Sequence, residues 1–196
     1  MPITHVTPIL GVDDCKIYPI TVDSENAFTL GTAVDVPGIK QVSLTLEIDE
    51  KELTGDEKTL AVSSKIKSVT VNSEYAKLSL DVLTALSGGS VTDTAATKAT
   101  LRIGEKAIPT YFQLQMQIKG TDDIIGGDCH LIVYKAKATA IPINGTEGDY
   151  ATCTFDAKGV FTNCKWGSTV NEARLVDVDL NSTAVNLSGV AYSSGQ

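Results

Sequence analysis

Between residues 36 and 91 the apolar and polar positions fall into two long alternating runs, and the rest of the chain is read around them. Val42, Leu44, Leu46 and Ile48 alternate with Ser43, Thr45, Glu47 and Asp49. A period of two puts one row on a buried face and the other in water. A polar interval follows: Asp49, Glu50, Lys51, Glu52, Leu53, Thr54, Gly55, Asp56, Glu57 and Lys58, with Gly55 as the expected turning point. Leu60, Val62, Ile66, Val69 and Val71 then resume an extended, β-branched run. Its phase shifts between Ile66 and Val69, which predicts a bulge near Lys67 and Ser68.

The next stretch, LSLDVLTALSGG, predicts a short helix. Ser79 suits the N-cap, and Asp81 sits where a negative charge favours the helix dipole. Gly88 can take the left-handed conformation that ends a helix. Leu80, Leu83 and Leu86 share the packing face, with Leu78, Val82 and Ala85 extending it. Burying one such leucine is worth about 1.5–3 kcal/mol. That is enough to dock a helix too short to hold alone.

Elsewhere the pattern is weaker. Residues 1–12 hold two prolines and read as an extended arm, not a mid-sheet strand. Residues 15–18 start a short strand that Pro19 stops, and 21–33 are weakly extended. Residues 90–100 are small and polar and read as a loop. Phe112, Leu114, Met116 and Ile118 alternate with Gln113, Gln115, Gln117 and Lys119, which predicts a strand with a solvated glutamine face. Residues 121–128 read as a turn and 129–141 as a long strand, with His130 a structural histidine. Residues 150–155 and 160–166 read as a hairpin about 156–159. Residues 170–190 alternate weakly, and the polar tail from residue 191 reads as loose.

Many short runs, one helix, plentiful Thr, Ser, Val and Gly, and few aromatics predict a mainly β fold. At 196 residues the chain is long enough for a sizeable core in one domain. Residues 1–141 are read as its core with the N-terminal arm, and 142–196 as strands that complete or decorate it.

The net charge of −8 argues against a nucleic-acid binder, which needs a basic footprint, and against an anionic membrane surface. No secretory leader and no membrane-spanning run are recognised in the sequence. Cys15, Cys129, Cys153 and Cys164 form no CxxC pair and are expected as reduced, small apolar residues. Asp122, Asp123 and Asp128 do not match a calcium loop. The two histidines, His5 and His130, stand in no catalytic motif. The expectation is therefore no enzyme, no cofactor and no metal.

The Pro-Gly before the first strand, the EKELTGDEK segment and the second strand leading into AKLSLDVLTALSGGSV resemble the core of phage major tail tube proteins. The resemblance covers about a third of the chain. It implies a tail-tube β-sandwich or barrel with one flanking helix, assembling as hexameric rings that stack around a lumen. Genomic DNA passes through that lumen without specific binding. The implied partners are further copies of the chain, a tape-measure protein, a tail terminator and baseplate or tip proteins. The implied location is the virion tail, assembled in the host cytoplasm. Residues 49–58 then become a loop that makes the contact between rings. Thr45, Glu47, Gln113, Gln115 and Gln117 become the candidates for the lumen face. Two other readings stay open: a secretion-system tube that carries effectors, and a secreted β-sandwich adhesin or carbohydrate-binding module. The latter predicts an oxidised Cys153–Cys164 pair and an aromatic platform.

Overall fold

The computed structural model describes residues 9–55, 58–94, 98–120, 127–144, 152–167, 171–181 and 183–193. In chain order the elements are β1 (Ile9–Ser24), β2 (Ala27–Leu30), β3 (Val34–Asp35), β4 (Ile39–Gly55), β5 (Lys58–Tyr75), α1 (Leu80–Ser87), β6 (Ser90–Thr94) and β7 (Lys98–Arg102). They continue with β8 (Phe112–Gly120), β9 (Asp128–Ala140), β10 (Cys153–Gly159), β11 (Lys165–Trp166), β12 (Glu172–Ala173), β13 (Val176–Asn181) and β14 (Tyr192–Ser193). The fold is mainly β with one short helix.

The main sheet is antiparallel and runs β14-β2-β1-β8-β9-β10-β5-β4. β9 is long enough to carry two partners in tandem on one edge. β10 pairs with its end at Ala136 to Ala140, and β13 pairs with its start at Asp128 to Val133. The sheet curls until β1 approaches β4. Its concave side holds the larger core, with Cys15, Ile17, Val69, Val71, Leu114, Met116, Val133 and Phe155 among the buried residues. On β9, Ile132 and Tyr134 point the other way. They join Phe28, Cys164 and Trp166 in a second, aromatic cluster. Trp166 lies 5.1 Å from Tyr134, 5.5 Å from Phe28 and 5.0 Å from Tyr192 by ring centroids.

Helix α1 closes the larger core. The Ser79 hydroxyl accepts from the Val82 amide at 3.4 Å, and Gly88 at φ 71° donates its amide to the Thr84 carbonyl at 2.9 Å. Val82, Leu83 and Leu86 are buried and Leu80 is half-buried. Leu78 is exposed, because it precedes the cap and lies off the helix face.

Several expectations are corrected. Residues 9–12 belong to β1 and pair with β8 inside the sheet; residues 1–8 lie outside the described part. Pro19 does not stop β1, because the strand changes partner there. The Pro19 carbonyl accepts from Gly31, and Ile20 starts the pairing with β2, so the missing amide falls at the switch. Residues 90–94 and 98–102 form the hairpin β6–β7 in place of a loop.

Residues 156–159 do not turn. They continue β10 between β5 and β9, with neighbours on both sides. Gly159 serves close packing there: a Cβ would lie 2.4 Å from Val69 Cγ1 and 2.9 Å from Val133 Cγ1. Of the tail expected to be loose, Tyr192 and Ser193 are held, since β14 pairs with β2; residues 194–196 lie outside the described part. The four cysteines are free and buried.

Candidate assembly surface

β4 and β5 pair from Ile39–Tyr75 out to Gly55–Lys58. The interval from Asp49 to Lys58, expected as a loop, is therefore the outer half of a β-hairpin; Asp56 and Glu57 lie outside the described residues. The physical reason is exposure. A two-stranded ribbon with solvent on both faces has no buried row, so polar residues can stand at successive positions without ending the strand. Seventeen residues of β4 at about 3.3 Å each span about 56 Å. The register slips where Glu47 pairs with Ser68 and Ile48 with Ile66, leaving Lys67 as the extra residue of a bulge.

Beyond that bulge the hairpin leaves the body of the sheet. Leu44 is half-buried and packs on the larger core. Leu46 and Ile48, in the row predicted to be buried, are 49% and 57% exposed. With Ile66 and Val62, which pair with Ile48 and Glu52, they form an apolar stripe on the core-side face of the arm. The cause lies in β10. It pairs with β5 only as far as Gly159 opposite Val69, and β13, which then takes the place beside β9, does not pair with β5. A cleft of about 620 Å³ opens between the arm and β13, lined by Leu46, Ile66, Phe161, Trp166, Leu175 and Val178. β4 itself ends the sheet order, so its outer edge carries no partner among the described residues.

The predicted polar wall divides into two places. Thr45 and Glu47 lie on the outer face of β4, opposite Thr70 and Ser68. The Glu47 carboxylate accepts from Ser68 Oγ and Thr70 Oγ1, each at 2.6 Å, and from Lys158 Nζ at 2.9 Å. These hydrogen bonds, those from the two hydroxyls first, lower its pKa to about 2. Asn72 Nδ2 donates to Asp156 Oδ1 at 2.7 Å nearby, so β4, β5 and β10 share one polar outer face.

Gln113, Gln115 and Gln117 are elsewhere and are not solvated: all three are buried. The residues around 183–190 cross them as a strap. Gln113 Nε2 donates to the Val190 carbonyl at 3.1 Å, and the Val190 amide donates to Gln113 Oε1 at 2.9 Å. Gln115 Nε2 donates to Gln113 Oε1 at 2.9 Å. Gln117 Nε2 donates to the Val185 carbonyl at 3.0 Å and also to Asp128. Asp128 Oδ2 accepts from the Val185 amide at 3.0 Å, and Oδ1 from Asn181 Nδ2 at 2.8 Å. His130 Nε2 meets both Asp128 Oδ2 at 3.0 Å and the Val185 carbonyl at 2.9 Å. Burial pushes the Asp128 pKa up, but the hydrogen bonds outweigh it and leave the group below its usual value.

Alternation on a strand is the same for a solvated polar row and for one roofed by another segment, so the sequence pattern alone did not reveal the strap. Asp128 and His130, two apart on one strand face, were the available sign of it.

No family model and no curated protein matches the chain. Among solved structures, a chain of the anti-feeding prophage baseplate, determined by six-fold symmetrised cryo-electron microscopy, is similar with a TM-score of 0.40 and 9% identity. That match covers 89% of this chain and 96% of the other.

Proposed function

We propose that this chain is a structural, non-enzymatic subunit of a phage tail tube, assembling in hexameric rings that stack around a lumen for DNA. The observation that carries the reading is the β4–β5 hairpin. Its outer strand is seventeen residues long and has no partner on one edge among the described residues, and its outer half is exposed on both faces. A monomer with such an edge is open to sheet-to-sheet association, and a closed ring of sheets removes the edge. The polar outer face around Thr45 and Glu47 supplies the lumen wall in this reading. The net charge of −8 per chain suits a wall that DNA must slide past, because basic patches would hold its phosphates.

The glutamine row is withdrawn from the lumen set, since the strap covers it. The arm from Asp49 to Lys58 makes the contact between rings. Further copies of the chain, a tape-measure protein, a terminator and baseplate proteins are the partners of this role, with the virion tail as its place. Removing residues 50–58 tests the reading. The variant keeps its fold and its capacity for rings but no longer stacks; normal growth of tubes by that variant would refute the role given to the arm.

A further inference from the structure

We infer that the apolar stripe on the arm seats against a knob formed by residues 101–108 of a second copy, head to tail. The proposal deepens the self-assembly reading above and rests on it. The knob follows α1 and β6–β7. Ile103 and Ile108 on it are 62% and 69% exposed, among the most exposed large apolar residues described. They stand on a built support. A Cβ on Gly88 would lie 2.2 Å from the Ile108 carbonyl oxygen, and one on Gly89 would lie 2.9 Å from the Arg102 carbonyl oxygen. The Ala107 amide donates to the Gly104 carbonyl at 2.9 Å, closing the turn. Two isoleucines are thus presented to solvent by a backbone that fits tightly against the helix end.

Charge favours the pairing. Arg102 and Lys106, with Lys98 on β7, make this a locally basic patch, with Glu105 as its acidic member, in a chain of net charge −8. On the arm, Glu50 and Glu52 share the face of Leu46 and Ile48, alternating with Asp49 and Lys51 on the other. An apolar stripe edged by acids therefore faces an apolar knob edged by bases. Such complementarity fixes register and suppresses wrong partners more than it adds affinity.

The two surfaces lie on different elements of the chain. α1 and the knob follow Tyr75, which pairs with Ile39 at the root of the hairpin. The stripe begins seven residues further along β4 at Leu46, about 23 Å out from that root. A contact between different patches of two copies is heterologous, and repeated along the hairpin it propagates as a stack.

The test is site-directed cross-linking. Ile48→Cys and Ile108→Cys are made in separate chains, mixed under assembly conditions and treated with a short bis-maleimide. The native cysteines are buried and stay silent. Linked dimers are expected only in the mixture, and a chain carrying both substitutions gives a ladder of multimers. In parallel, Arg102→Glu with Lys106→Glu raises the concentration needed for assembly about tenfold, and Glu50→Lys with Glu52→Lys on the partner restores it. Polymer that forms without the Ile48–Ile108 link, and that ignores the charge reversal, overturns this contact alone. A chain that stays monomeric under every condition overturns both the contact and the self-assembly reading.

Discussion

Gln113 and Val190 meet as two paired strands would: the side-chain amide of Gln113 donates to the Val190 carbonyl at 3.1 Å and accepts from the Val190 amide at 2.9 Å. A side chain thus stands in for a strand and fixes the C-terminal strap on the sheet. Replacing it by an apolar residue of similar size leaves both Val190 groups without their partner. Gln113→Leu is expected to destabilise the fold by about 1–3 kcal/mol. Amide hydrogen exchange over residues 185–193 should accelerate before the sheet itself responds. Exchange that rises uniformly over the whole chain would show that the strap is not a separate unit.

Three carboxylates have a lowered pKa, Glu25, Glu47 and Asp128, and the last two sit in hydrogen-bond networks that tie strands together. A depressed group contributes stability that is complete above its unfolded pKa and lost as pH falls through its folded one. For Glu47 the window runs from 4.5 down to about 2. For Asp128 it begins at its ordinary 3.8 and ends below that. Thermal midpoints should be level above the window and fall as pH drops through it. Glu47→Gln should flatten part of that fall, and Asp128→Asn part of the remainder. A decline that begins nearer neutrality would point to other groups.

Gly159 is where β10 ends and the arm departs. The methyl of Gly159→Ala would meet Val69 and Val133 in the core. Overpacking of this kind costs about 1–3 kcal/mol. Chemical denaturation should show a lower midpoint with an unchanged slope. An unchanged midpoint would mean that the two valines give way at no cost.

Trp166 joins β2, β9 and β14 through its contacts with Phe28, Tyr134 and Tyr192. Truncation of a core aromatic costs about 3–5 kcal/mol. Trp166→Ala is therefore the most damaging single change expected here, measured as loss of soluble folded protein or of the thermal midpoint. Gly88, Gly89 and residues 101–108 should keep their exchange protection, because they pack together at the end of α1 and not on this cluster.

Much of this architecture is legible in the sequence. Ser79, Asp81 and Gly88 mark the ends of α1 because capping is local chemistry. The alternation of β8 and the bulge at Lys67 follow from the period of two. What escapes is whatever depends on a distant segment. The glutamines of β8 look solvated until residues 183–190 are laid over them. Asp156 to Gly159 has turn-forming residues, yet two flanking strands hold it extended. Leu46 and Ile48 continue a core pattern past the point where the core ends, because β10 stops at Gly159.

The proposed assembly is a hollow, stacked polymer. Negative-stain electron microscopy of the purified protein at high concentration tests it directly. Hollow rings and tubes with six-fold end views are expected. Dispersed single particles at every concentration, with no rings, would contradict it.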